Sequence, residues 1–334
     1  MKKSTADSPT QIADILYLPS GTIKTDSAVN DMTGSGKALS MRKSLTKRDT
    51  ALIEHSATIA TNQPNSEDMA FSHAVLCQVG LPRAKVEARE FMRQSGAAWV
   101  NVQAGYLDEG NGPVLQPIPY GVMPRLGLAW VSTFAVRNKE REIRIGDSAA
   151  EFLRLMGMDS DGRRYATLRK QMHALAACRL QLGFKGRTYN GQPVQQFDAW
   201  ISDRAANQRA LWPGIMVLSE DYYRSLIESA VPLDNRALMA LKGSALALDV
   251  YAWLAHRLHR IEGRGVVLHW KSLREQFAQE YAGKDPDKNF KKEFMPALRK
   301  VLAVYPQAKV KTVTGGVLLI GSPPPIPYKG GPVE

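Results

Sequence analysis

Long apolar runs are missing from this chain: no stretch approaches the roughly 18 consecutive apolar residues that a membrane-spanning helix needs. Cysteine is scarce too, with only Cys77 and Cys178 and no CxxC spacing between them. That excludes a disulfide framework and a cysteine-rich zinc site, and it fits reduced thiols in a cytosolic protein. The first residues include two lysines but no apolar segment of the kind a secretory leader carries, so no leader is expected. Acidic excess is also absent. The 44 Lys and Arg outnumber the 32 Asp and Glu, giving a net charge of +12. A chain this basic is drawn to phosphate backbones through counterion release, and without a membrane span nucleic acid is the expected partner.

Enzyme motifs fail as well. Gly34-Ser35-Gly36-Lys37 resembles part of a phosphate loop, but GxxxxGK[ST] needs Gly and Ser or Thr where the chain has Asp31 and Ala38. His256 and His259 lie three apart on an apolar helix, with no third ligand in sequence reach and with Arg257 and Arg260 beside them. Capping or phosphate neutralisation is expected of them rather than metal binding. A rolling-circle nickase needs His-x-His on a strand and a tyrosine nucleophile, whereas Tyr222-Tyr223 reads as helix packing. No catalytic residue, metal or cofactor is therefore expected.

What is present is ordinary globular material: 334 residues, 44% apolar and 23% charged, enough for two to three domains. Residues 1–65 are polar and aperiodic and read as a disordered segment, despite Leu45, Leu52 and Ile59 at heptad spacing. Helical spacing marks 66–80 and a second amphipathic piece 83–94, and alternation marks a strand over 97–107.

From there one order of elements occurs twice: long helix, short strand, short helix, basic helix, hairpin. The first pass runs over about 119–203. A proline-started helix spans 124–138, a strand 142–145, and a helix capped at Asp147 ends at Gly157. A basic helix over 162–182 turns Leu168, Met172, Leu175 and Ala176 inward and Arg163, Thr167, Lys170 and His173 outward. A hairpin over 184–191 follows, turning at Asn190-Gly191 and carrying Lys185 and Arg187; return strands lie at 195–201 and 214–218. After a linking helix from Ser219 to about Ala230, the second pass runs over about 234–322. It opens with one helix over 238–261, then a strand over 266–270 and a helix over 271–281. Its basic helix, from Asp285-Pro286 to Val304, buries Phe290, Phe294, Leu298 and Val301 and presents Lys288, Asn289, Lys292 and Arg299, with a kink expected at Pro296. Its hairpin, 309–320 with Gly315-Gly316 at the turn, carries Lys309 and Lys311. The proline-rich tail from Ser322 is expected not to pack.

A charge run is usually only a solvated face. A basic third helix followed by a basic hairpin, twice, is instead the order of a winged helix, whose third helix enters a major groove. The expected architecture is helix-rich α+β: a disordered segment 1–65, a first winged-helix domain 66–230 with an N-terminal extension, a second 231–322, and a tail 323–334. The first is expected to serve self-association and phosphate contact, the second to give the stronger grip.

The stretches 70–96, 119–137, 143–157, 244–261, 269–281, 289–306 and 315–327, from AFSHAVLCQVGLPRAKVEAREFMRQSG to GGVLLIGSPPPIP, resemble plasmid-encoded RepA-type replication initiators. That resemblance implies a bacterial cytoplasmic protein bound to plasmid DNA. It implies binding to directly repeated sites (iterons) in double-stranded origin DNA, duplex opening, and recruitment of host DnaA and the replicative helicase. It also implies copy-number control through dimers that repress the chain's own gene. It carries over no base-reading residue. A sequence-specific winged-helix repressor is the alternative, and a nickase is the disfavoured one.

Overall fold

The computed structural model describes residues 46–159, 162–198, 200, 214–279 and 284–327. The architecture is α+β and helix-rich, and two units within it repeat one topology. In the first, α3 (Val122–Asn138) leads into β6 (Glu142–Arg144), α4 (Ala149–Leu155), α5 (Gly162–Ala177) and strands β9 (Val194–Phe197) and β10 (Ile215–Leu218). In the second, α8 (Ala245–Arg257) leads into β12 (Val266–His269), α9 (Trp270–Phe277), α10 (Pro286–Val304) and strands β13 (Lys309–Val313) and β14 (Gly316–Ile320). Both sheets are antiparallel and ordered alike, β6-β10-β9 and β12-β14-β13, so the strand after the long helix pairs with the last strand of the hairpin.

The first unit differs by an insertion. Between α5 and β9 the chain makes β7 (Arg179–Phe184) and β8 (Arg187–Gly191). These join β2 (Glu90–Ser95) and β3 (Ala98–Gln103) in a separate antiparallel sheet, β2-β3-β7-β8. The hairpin expected to be the first unit's wing is therefore part of another sheet. Its turn is Lys185-Gly186, both at positive φ (48° and 84°), not Asn190-Gly191. The first unit's own hairpin closes through residues 198–214, most of which lie outside the described residues.

Other expectations shift for local reasons. Residues 66–80 split into β1 (Met69–His73) and α2 (Ala74–Val79), because β1 finds a partner far away in β11 (Ala230–Asp234). The amphipathic piece over 83–94 is not a helix but loop and β2, since tertiary pairing with β3 overrides helical spacing. The basic helix expected over 162–182 stops at Ala177, and the chain continues as β7. Ser148, not Asp147, caps α4, accepting the Glu151 N–H. The single helix expected over 238–261 is two, α7 (Asn235–Ala240) and α8, because Ser244 starts a new helix by accepting the Ala247 N–H. The turn of the second hairpin comes one residue early, at Thr314-Gly315. The linking helix is α6 (Glu220–Ser229), starting where expected, with Ser219 as its cap.

The largest correction concerns the expected disordered segment. Within it, Lys47–Thr61 is a helix, α1, opened by a reciprocal cap: Asp49 N–H donates to Thr46 Oγ1, and Thr46 N–H donates to the Asp49 carboxylate. Leu52, Ser56 and Ile59 are buried at helical spacing, and α1 packs on α7 and α10 of the second unit. Leu52 and Ile59, two of the three heptad-spaced residues, are its buried positions; they pack on a globular surface and not on a second coil, so the coiled-coil criterion does not recognise the helix. Residues 1–45, including Gly34–Lys37, lie outside the described residues. At the other end the tail packs further than expected: Ile326 is buried, and Tyr305 Oη donates to the Pro323 carbonyl.

The buried side chains form one connected core running through both units. Across it, Arg125 of α3 makes a two-pronged ion pair with Asp249 of α8 (2.7 and 2.8 Å). The same guanidinium donates to the carbonyls of Leu81, Pro82 and Gly121, so its donors are well used.

Candidate nucleic-acid interface

The two third helices, α5 and α10, have the same pattern of exposure. On α5, Arg163, Thr167 and Lys170 are exposed, while every residue from Gln171 to Cys178 is buried. Leu168, Met172 and Leu175 pack inward, and Gly127 of α3 lets Met172 approach so closely that a Cβ would lie 2.7 Å from its sulfur. On α10, Lys288, Asn289, Lys291 and Lys292 are exposed, whereas Phe294, Ala297, Leu298 and Val301 are buried. Cations therefore gather on the N-terminal halves of both helices, and the C-terminal halves anchor them. That is the half a recognition helix offers to base edges.

One residue expected on these faces lies elsewhere, and another is partly covered. His173 is buried, not outward. Its Nδ1 lies 3.1 Å from Glu109 Oε1, and its ring packs against Phe197 and Trp200. Burial lowers its pKa, against the hydrogen bond and charge of Glu109. The helical wheel misled here because the loop after β4 (Tyr106–Asp108) supplies a carboxylate partner for the fourth turn of α5. Arg299 is half-buried, on the stretch of α10 where the outward positions Met295, Leu302 and Ala303 are also at least partly covered.

The hairpin residues divide as well. Lys309 and Lys311 are exposed two apart on β13, an edge strand, and so share one face of the second unit's hairpin. Lys185 sits at the β7–β8 turn with its ammonium over the Phe184 ring. Arg187 is paired with Glu228 of α6 at 2.6 Å. These two residues belong to the insertion sheet rather than to either three-stranded sheet. Lys291, absent from the expected set, is exposed with its ammonium above the Trp270 ring. Its signal was the aromatic of α9 meeting a basic helix, visible only once the two helices pack.

The residues weighed for other chemistry have structural partners. His259 Nδ1 meets the Ala255 carbonyl. Tyr222 is buried between His73 and Tyr189, and burial raises its pKa, so it is no exposed nucleophile. Among the described residues, no group of three His, Cys, Asp or Glu side chains is placed to hold a metal ion. No described helix is long and apolar enough to cross a membrane.

Residues 118–272 match the family model described as plasmid encoded RepA protein. The match takes in the first unit and the second as far as the start of α9. No curated protein matches the chain. Among solved structures, a crystal structure of selenomethionine derivatives of domains 2 and 3 of RctB aligns with a TM-score of 0.47 at 13% identity, covering 75% of this chain and 98% of that one. A second crystal structure of RctB domains 2–3 aligns with a TM-score of 0.43 at 13% identity, covering 73% and 94%.

Proposed function

From the match of residues 118–272 to the family model described as plasmid encoded RepA protein, we propose that this chain initiates plasmid replication by binding origin DNA through two winged-helix units. The observation that carries the reading is the pair of third helices, each with exposed cations on its N-terminal half, the C-terminal half of α5 being buried and that of α10 anchored by Ala297, Leu298, Val301 and Val304. In this mechanism α10 enters a major groove with Lys288, Asn289 and Lys292, and α5 enters a neighbouring one with Arg163, Thr167 and Lys170. Asn289 is suited to adenine, and the cations to guanine or phosphate. Lys309 and Lys311 contact the flanking backbone as the wing.

No enzymatic step is assigned to the chain. Binding several directly repeated sites bends the duplex, and the free energy of binding strains an AT-rich segment whose flexible steps open at lower cost. Recruitment of host DnaA and the replicative helicase, and repression of its own gene by a dimer, complete the proposal in line with the RepA resemblance.

The test is the salt dependence of affinity for origin DNA. Lys288→Ala with Lys292→Ala is expected to weaken binding and lower the slope of log affinity against log salt by about one for each phosphate no longer neutralised. Arg163→Ala with Lys170→Ala is expected to do the same. Lys185→Ala, in the insertion sheet, is expected to leave the slope unchanged. An unchanged slope in both helix variants would place the DNA face elsewhere.

A further inference from the structure

The C-terminal end of α8 and the short turn Leu258–Arg260 bring His256, Arg257, His259 and Arg260 together. His256, Arg257 and Arg260 line an open groove of about 790 Å³, walled on its far side by the Ser95-Gly96-Ala97 turn between β2 and β3. The groove continues past His256 and Arg260 into a second of about 960 Å³, alongside β8 and α6.

Glu262 and Glu275 also line the groove, but among the described residues no carboxylate pairs with Arg257. The Arg257 Nε is buried and has no hydrogen-bond partner. Burial lowers the pKa of this guanidinium, and no carboxylate acts on it in compensation. His256 is driven down to about 3, first by burial and then by the charges of Arg260, His259 and Arg257. It is therefore neutral, and its Nε2 accepts from Arg260 Nη1, which fixes that guanidinium at the groove. Capping of the helix end accounts for His259, which meets the Ala255 carbonyl, but not for Arg257. Removing a cation from water without a counter-charge is costly, and an arriving anion relieves that cost.

We propose that this groove is a phosphate-binding site between the insertion sheet and the second unit, built on Arg257 and Arg260. Both arginines, three residues apart at the helix end, line the groove, and a guanidinium offers paired donors to phosphate oxygens. The phosphate comes either from a nucleic-acid backbone or from a free phosphorylated compound. Because the walls come from the insertion sheet and the second unit, an occupied site ties the β2–β3 turn to α8.

The experiment is thermal melting of the full chain in inorganic phosphate or pyrophosphate, against chloride at matched ionic strength. The wild type is expected to show a saturable rise of about 3 °C at tenfold excess over the dissociation constant. Arg257→Met is expected to melt no lower than the wild type without phosphate, since it removes an unpaired cation, and to lose the rise. Arg260→Gln is expected to lose most of the rise and supplies the test if Arg257→Met does not fold. Lys288→Ala with Lys292→Ala is expected to keep it, which separates this site from the proposed DNA face. A salt slope for duplex DNA that drops by about one in Arg260→Gln identifies the backbone as the source, and an unchanged slope identifies a free compound. No rise in the wild type, or an equal rise in the Arg257 and Arg260 variants, would overturn the proposal.

Discussion

Arg125 and Asp249 are 124 residues apart, yet between them they hold the two units in one geometry. Both side chains are nearly buried (9% and 8% exposed), so removing one leaves the other charged and unpaired. Arg125→Ala is expected to lower stability by about 3–5 kcal/mol, read from the denaturant midpoint; a change near zero would mean that water replaces the pair. His73 gives a second test, through pH. Its Nδ1 accepts the Val75 N–H at the start of α2, its Nε2 meets Ser225 Oγ, and burial pushes its pKa from 6.5 down to about 4. The folded chain thus resists a proton that the unfolded chain takes up below pH 6.5. Stability is complete above that value and declines as pH falls toward 4, by about 3 kcal/mol for this group. Urea midpoints from about pH 7 to about pH 4.5 should show the decline, and His73→Gln should make it shallower, with the lowered His256 and His173 keeping the rest of the slope. A wild-type profile with no slope there would contradict the buried neutral ring. Neither Arg125 nor His73 could be picked out in the sequence, because their partners come from distant elements.

At the scale of elements, what the sequence made legible was periodicity. The buried stripe Phe290, Phe294, Leu298 and Val301 of α10 is where the spacing placed it, and α3 begins within two residues of its expected start. Pairing was not legible. The β7–β8 hairpin looked like a wing because it follows a basic helix, but its partner β3 lies some 80 residues earlier in the chain. Helix α1 was also missed, since an isolated amphipathic stretch in a polar segment gives no sign of the surface it packs on. Its packing against α7 and α10 makes it part of the second unit. Leu52→Ala is expected to cost about 2–5 kcal/mol and to weaken DNA binding only as far as it unfolds α10. Urea unfolding of the full chain checks the cost, and a change below about 0.5 kcal/mol, the range of surface substitutions, would show that α1 contributes no packing.

For the whole molecule, the functional content lies in the repetition: one topology used twice, with the first copy interrupted by an insertion sheet and the second braced by a helix from the far N-terminal side. The two copies are joined through one core and one buried ion pair, so their third helices are presented as a fixed pair. On the proposed function, a fixed pair would read two groove segments of one duplex face, spaced by about one helical turn. The sequence showed the two halves and their basic helices. It did not show that the halves share a core, because that follows from long-range burial. Hydroxyl-radical footprinting of the full chain on plasmid origin DNA tests this most directly. Two protected patches about one helical turn apart within each of several direct repeats are the expected result. A single protected patch per site, or protection of one inverted repeat alone, would contradict it.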